Sequence, residues 1–315
     1  MHEGPEADIS CHPEDGLVCP PRRTLILGAS GLLGKAIVNR FSIEPQYSGK
    51  VETIPWREIG DVNIGANAQR LSEYLSTKLG DLTDCDVIVA SGLIKSQDEG
   101  ALLYSNFEFP TNLIRGMWMY PGSRCMTFGT IHEKFDAAVS HNAYFMSKYR
   151  LSQWICEFVT SHMVSDALPG RILHLRLHTL YGFPPHPQMF LGQMAEALIS
   201  DVPFKMSSGE QLREYHHAED IAECVFRLFQ RSWYIGPVLE ISSGEAIRLK
   251  ELAVAVFREF HKDHLLWIGE IPAGVGENKS KTFARSDPEL LPYSRETIAG
   301  VIETLRRYFQ YHEAT

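Results

Sequence analysis

Long apolar runs are missing. Stretches such as Val87-Ile88-Val89-Ala90 stop far short of the ~20 residues that a membrane-crossing helix needs. Basic blocks are missing too, and with them the usual electrostatic footprint of a nucleic-acid or membrane-surface partner. Met1–Pro20 contains Glu3, Glu6, Asp8, Glu14 and Asp15 but no Lys or Arg, so it carries five of the nine net negative charges. A basic start followed by an apolar segment, the mark of a secretory signal, is also not found. Cysteine is sparse: six, at 11, 19, 85, 125, 156 and 224, with no Cys-x-x-Cys. This argues against a disulfide scaffold or a zinc ribbon and fits reduced thiols in the cytoplasm. Cys11-His12 and Cys19 lack a fourth ligand, so no metal site is expected. What remains is an ordinary soluble globular composition, 44% apolar and 22% charged.

Residues 1–21 are polar, acidic and Pro-containing and are expected to be a disordered tail, with order beginning at Arg22. Thr24-Leu25-Ile26-Leu27 reads as a short buried strand. Gly28-Ala29-Ser30-Gly31-Leu32-Leu33-Gly34 follows directly, and Leu33, Ile37 and Phe41 then recur at helical spacing. Strand, glycine turn and helix in that order suit dinucleotide binding. Glycines let backbone N–H groups approach a pyrophosphate at the positive end of a helix. Gly28, Ser30, Gly31, Leu32, Leu33 and Gly34 are the expected cofactor contacts.

Further along, Tyr144 and Lys148 stand four apart, on one face of a helix. A free tyrosine has a pKa near ~10, and a neighbouring ammonium favours the phenolate. Bringing that pKa to about 7 takes roughly 3 units, or about 4 kcal/mol, within reach of one close cation and a positive nicotinamide ring. The pair suits proton transfer at a carbonyl or hydroxyl while hydride moves to or from a cofactor.

The glycine spacing of three plus three, together with Tyr-x-x-x-Lys, resembles the extended short-chain dehydrogenase/reductases. The resemblance runs from about Arg22 to the end of the chain. It implies a doubly wound parallel α/β sheet (a Rossmann fold) with a smaller C-terminal substrate-binding lobe. Residues 22–182 would form the dinucleotide domain and 183–315 mainly the substrate lobe, with 217–242 returning to the first. Val51–Trp56 would be the second strand. Arg57 beyond it, with no acid from Thr53 to Trp56, implies NADP(H), with NAD as the alternative. Asp61 and Val62 would lie near the adenine. Asp86–Gly92 resembles the fourth strand and the turn Ala90-Ser91-Gly92 beneath the cofactor, and Asn106 a helix asparagine beside it. Arg124–Thr130 resembles the fifth strand, ending in the catalytic Thr130, with Thr127 as second choice. Thr179, near Tyr181-Gly182, and Arg213 match substrate-binding positions. Arg213 would hold a diphosphate, or else form an ion pair with Glu214.

These matches imply NADPH-dependent reduction of the C4 ketone of a nucleotide-activated 4-keto-6-deoxyhexose in deoxysugar biosynthesis. Tyr144 would give the proton, Lys148 would lower its pKa and hold the cofactor ribose, and Thr130 would polarise the ketone. A 4,6-dehydratase fits less well, because Ile131-His132 follow Thr130 where that group carries Asp-Glu. Bifunctional epimerase-reductases resembling GDP-fucose synthetase place an acid–base residue two positions after the catalytic Ser/Thr and a His-Pro after Tyr-Gly. His132 and His186 stand at those positions, so an epimerase or epimerase-reductase is the alternative, with both histidines contacting substrate. A non-catalytic dinucleotide sensor is a further one. The helices of Asn106–Trp118 and Tyr144 would pair as a four-helix bundle in a homodimer.

Overall fold

The computed structural model describes residues 21–135, 139, 141–162, 170–231, 236–274 and 277–314. Of the expected acidic tail only Pro21 lies within them; Cys11, His12 and Cys19 lie outside. Among the described residues no helix is long and apolar enough to cross a membrane.

Six parallel strands form the central sheet: Thr24–Leu27 (β1), Val51–Ile54 (β2), Asp86–Val89 (β3), Arg124–Thr130 (β4), Ile172–Leu177 (β5) and Val238–Glu240 (β6). Their spatial order is β6-β5-β4-β3-β1-β2. Side chains alternate between the two faces. Leu25, Leu27, Val87 and Val89 face one way, packed with Leu71, Leu75, Leu113, Leu151 and Ile155. Those partners come from helices Ala68–Leu79 (α2), Phe109–Met117 (α3) and Ala143–His162 (α4). Ile26, Ile88, Met126 and Leu173 face the other way, onto Ile37, Phe41, Ile221 and Val225. These belong to helices Leu32–Ser42 (α1) and Ala218–Phe229 (α5). Covered on both sides, the strands read as continuous apolar runs.

The strand numbering implied by the resemblance needs correction. Asp86–Val89 is the third strand of the chain and Arg124–Thr130 the fourth, because no strand forms among residues 55–85. Helices Trp56–Ile59, Val62–Gly65 and α2 occupy that stretch and leave β2 at the sheet edge. Local capping explains it. The Asp61 side chain accepts from Asn63 N–H and that of Asn67 from Arg70 N–H, so two helices start where a strand would run.

The C-terminal lobe has its own core, with Leu191, Met194, Leu198, Phe204, Leu252, Phe257, Val301 and Leu305 at its centre. Helices Phe190–Ser200, Leu249–Glu259 and Thr297–Ala314 surround it. Short paired strands, Thr179–Tyr181 with Tyr215–His217 and Leu212–Arg213 with Ile247–Arg248, lie next in the chain to the carboxyl end of β5 and to α5.

The chain reverses its direction across the sheet between β1 and β3, and there two turns touch. Gly28 has φ +84°, and a Cβ on it would lie 2.4 Å from Ser91 N. A Cβ on Gly34 would lie 2.1 Å from Gly28 O, whereas one on Gly31 would meet nothing nearer than that oxygen at 3.4 Å. The outer glycines thus let backbones approach, and the middle one faces open space. Gly34→Ala should lower stability by about 1–3 kcal/mol in denaturant unfolding. Gly31→Ala, at an extended φ of −73°, should stay within about 1 kcal/mol of the parent. Equal losses for the two would contradict this division.

Candidate active site

One half of the site is made of backbone. Helix α1 starts at Leu32 with Gly31 as its N-cap and no side chain capping it. Its first N–H groups therefore lack the usual side-chain acceptor, at the end that attracts anions. Ser30 and Gly31 are exposed there, Leu32 is half-buried, and Leu33 and Gly34 are packed inward. Opposite, Ala90-Ser91-Gly92 leaves β3, and Ser91 Oγ is buried with no partner among the described residues. An uncapped helix end, an open face at Gly31 and an orphaned hydroxyl fit the phosphates and ribose of a dinucleotide.

Asn106 positions this crevice rather than facing it freely. Its Nδ2 donates to Leu93 O (2.7 Å) and its Oδ1 accepts from Leu93 N–H (3.2 Å). A Cβ on Gly92 would lie 2.6 Å from that Oδ1 and 3.4 Å from Lys148 Nζ. Arg57 is exposed, just beyond β2, with no ion pair among the described residues. The neighbouring Glu58 bonds Lys78 and Tyr74 instead. Asp61 and Val62 are both exposed, and the Asp61 carboxylate is engaged by Asn63 N–H at 2.8 Å.

The catalytic candidates converge from β4 and α4. Thr130 caps the short turn Ile131–Lys134. Its hydroxyl accepts from His132 N–H (3.3 Å) and lies 3.1 Å from His132 Nδ1, while Glu133 accepts from Thr130 N–H (2.7 Å). This Thr-x-x-Glu capping box is visible in the sequence and could have flagged Glu133, which sequence reasoning passed over. Thr127, the second choice, is buried within the sheet against His174 Nδ1 at 2.8 Å. Asn142 accepts from the N–H groups of Tyr144 and Phe145 as α4 begins. Tyr144 is half-buried; Lys148 is buried and donates to Phe128 O at 2.9 Å.

Tyr144 and Lys148 shift in opposite directions from their ordinary values. Burial, and after it the Glu133 carboxylate, push Tyr144 up to about 12. Burial brings Lys148 down to about 8, against a small opposing pull from Glu133. The Lys148 ammonium is committed to the Phe128 carbonyl, and the forces that set Tyr144 are burial and Glu133. In this state Tyr144 is a protonated phenol, the form that gives a proton.

A cleft between the β4 turn and the C-terminal lobe holds the substrate candidates His132, Thr179 and Arg213, with His178, Lys281 and Phe283. Arg213 is half-buried. Its one hydrogen bond among the described residues runs from Nη1 to Leu212 O (3.3 Å), and no carboxylate there comes within ion-pair distance. The alternative pairing with Glu214 does not form, because Glu214 turns away to Ser242 and Ser243. His132 stacks on Phe145 with ring centroids 4.4 Å apart and planes within 2°. Burial, then Arg213 and His178, bring its pKa down to about 3. His186 does not line the cleft. It is exposed ahead of Phe190–Ser200, and its Nδ1 accepts from Gln188 N–H at 3.2 Å. His178, one residue before Thr179, was missed because no motif marks it.

Comparison with curated proteins gives no match. Among solved structures, MoeE5 in complex with UDP-glucose and NAD is similar, with TM-score 0.69 and 19% identity over 91% of this chain and 99% of that one. UDP-glucuronic acid 4-epimerase from Bacillus cereus, in complex with UDP-glucuronic acid and NAD, gives 0.69 and 16% over 91% and 99%. A GDP-L-fucose synthetase from Naegleria fowleri gives 0.69 and 13% over 92% and 94%. At these identities the likeness speaks for the fold. The family description "NAD dependent epimerase/dehydratase family" matches residues 24–236, well over half of the sequence, and the chain belongs to that family.

Proposed function

We propose that the protein reduces the C4 ketone of a nucleotide-activated 4-keto-6-deoxyhexose with NADPH, in the cytoplasm. The observation that carries this reading is Arg213, a half-buried guanidinium lining the cleft without a carboxylate partner among the described residues. Such a group is suited to a diphosphate, which it can grip with two parallel hydrogen bonds. Residues 22–182 with 217–242 then serve the dinucleotide, and the remainder of 183–315 the sugar nucleotide. The bound nicotinamide supplies the hydride. Tyr144 gives its proton to the ketone oxygen. Lys148 keeps its charge beside the crevice and holds the cofactor ribose. Thr130 takes the His132 N–H on its oxygen and turns its own hydrogen to the ketone.

Exposed Arg57, free of Glu58, supports NADPH over NADH. A second reading, epimerisation, draws on the two histidines lining the cleft, His132 and His178. Tightly copurifying NAD would favour it. A homodimer through α3 and α4 is supported by half-buried Trp154 and Phe158 of α4, which stack, and Trp118 at the end of α3, which meets Phe158 edge to face.

Tyr144→Phe should lower kcat by about 100-fold or more while cofactor binding stays within a few-fold; a rate above about a tenth of wild type would contradict the assignment. The ratio of kcat/KM for NADPH to that for NADH should favour NADPH and fall several-fold in Arg57→Ala. A wild type preferring NADH would overturn that choice. Activity should also fall as pH rises through about 8, where Lys148 loses its charge. The kcat/KM profile reads that step in the free enzyme, and a flat profile to about pH 10 would contradict it.

A further inference from the structure

Behind Arg213 lies a group of titratable side chains that this reaction leaves unused. Glu214 is 2% exposed and is fixed by Ser242 Oγ, Ser243 N–H and Ser243 Oγ. Two imidazoles flank it. His178 Nε2 lies 3.7 Å from one carboxylate oxygen and His216 Nε2 lies 3.4 Å from the other, with the rings 5.5 Å apart. Both histidines are buried, and His178 Nε2 and both His216 nitrogens have no hydrogen-bond partner among the described residues. His178 also lines the cleft beside Arg213.

The charges around His178 oppose one another. Burial weighs most and holds its pKa at about 4; Glu214 and Glu240 favour a proton, and His216 and Arg213 resist one. His132 and Lys281 share the same cleft. The ring is therefore neutral at neutral pH, kept so partly by the guanidinium that lines the cleft beside it. A phosphate anion on Arg213 cancels that repulsion and adds its own attraction for a cation. Excluding water strengthens both effects. A protonated ring can then donate from Nε2 to Glu214 and from Nδ1 to a ligand oxygen.

We infer that the cleft takes up its diphosphate ligand together with one proton from solvent, and that His178 receives the proton and becomes a second phosphate-binding group. This rests on the reading of Arg213 given under the proposed function. The sign follows from linkage. The pKa of His178 is higher in the complex than in the free protein, so binding tightens as pH falls through the bound-state value.

The probes are UDP-glucose, dTDP-glucose and GDP-glucose, whose doubly esterified diphosphates do not titrate near neutrality. Calorimetry on the full chain saturated with NADP⁺, in two buffers of different ionisation enthalpy, reads both affinity and proton uptake. For the tightest of the three, wild type should bind roughly 3- to 10-fold more tightly at about pH 6 than at about pH 8, taking up a measurable fraction of a proton. His178→Gln and His178→Asn should lose both the slope and the uptake. Wild type that binds with no uptake overturns the inference without recourse to either variant. Uptake that persists in a folded variant overturns it in favour of His132 or His216. No binding of any probe at either pH contradicts instead the nucleotide-diphosphate reading on which the inference rests.

Discussion

The end of the sheet that carries the catalytic candidates depends on one buried carboxylate. Glu133 accepts from Thr130 N–H at 2.7 Å and from Arg176 Nε at 2.9 Å, and lies 3.4 Å from His174 Nε2. Arg176 reaches on to Ser152 on α4 (3.2 Å) and to Glu240 on β6 (3.5 Å). Three strands and the helix of Tyr144 and Lys148 are thus tied through Glu133 and its partner Arg176. Removing one partner from such a buried set costs about 3–5 kcal/mol, because it strands a charge away from water. The same carboxylate disfavours the Tyr144 phenolate. The residue that orders the site thus adds to burial, the larger cause, in keeping the tyrosine protonated.

The two halves of the site are built differently. The cofactor side is backbone: a positive-φ glycine, a close contact between two turns, and a helix end without a cap. The side proposed for the substrate is side chains. Arg213 lines the cleft with no carboxylate partner among the described residues, while its neighbour Glu214 turns inward to the serines after β6. Adjacent residues of opposite charge are kept apart because the serines after β6 hold the Glu214 carboxylate.

Features set by short-range spacing were legible in the sequence. The glycine turn and Tyr-x-x-x-Lys each occupy a few consecutive residues, and their geometry follows from the strand–turn–helix and the helix that carry them. The doubly wound sheet was implied by the family resemblance that these motifs carry. The missing strand was not, because a resemblance counts strands whereas Asp61 and Asn67 decide locally to cap helices. Protonation states were not legible either. His132, Tyr144 and His178 owe their shifts first to burial, and after it to residues far away in sequence as well as near ones, which periodicity does not register. His186 was chosen by its distance from a motif, while the fold instead brings His178, at the end of β5, to the cleft.

In the proposed reaction, hydride passes from the cofactor to a sugar carbon bearing oxygen. The most direct measurement supplies NADPH deuterated at the transferable C4 position together with UDP-, dTDP- and GDP-linked 4-keto-6-deoxyhexoses, and locates the label by mass spectrometry and NMR. One deuterium should appear at C4 of the sugar of at least one substrate, with matching oxidation of the cofactor. Turnover of a sugar nucleotide with no label at C4, or no transfer to any of the three, would contradict the account.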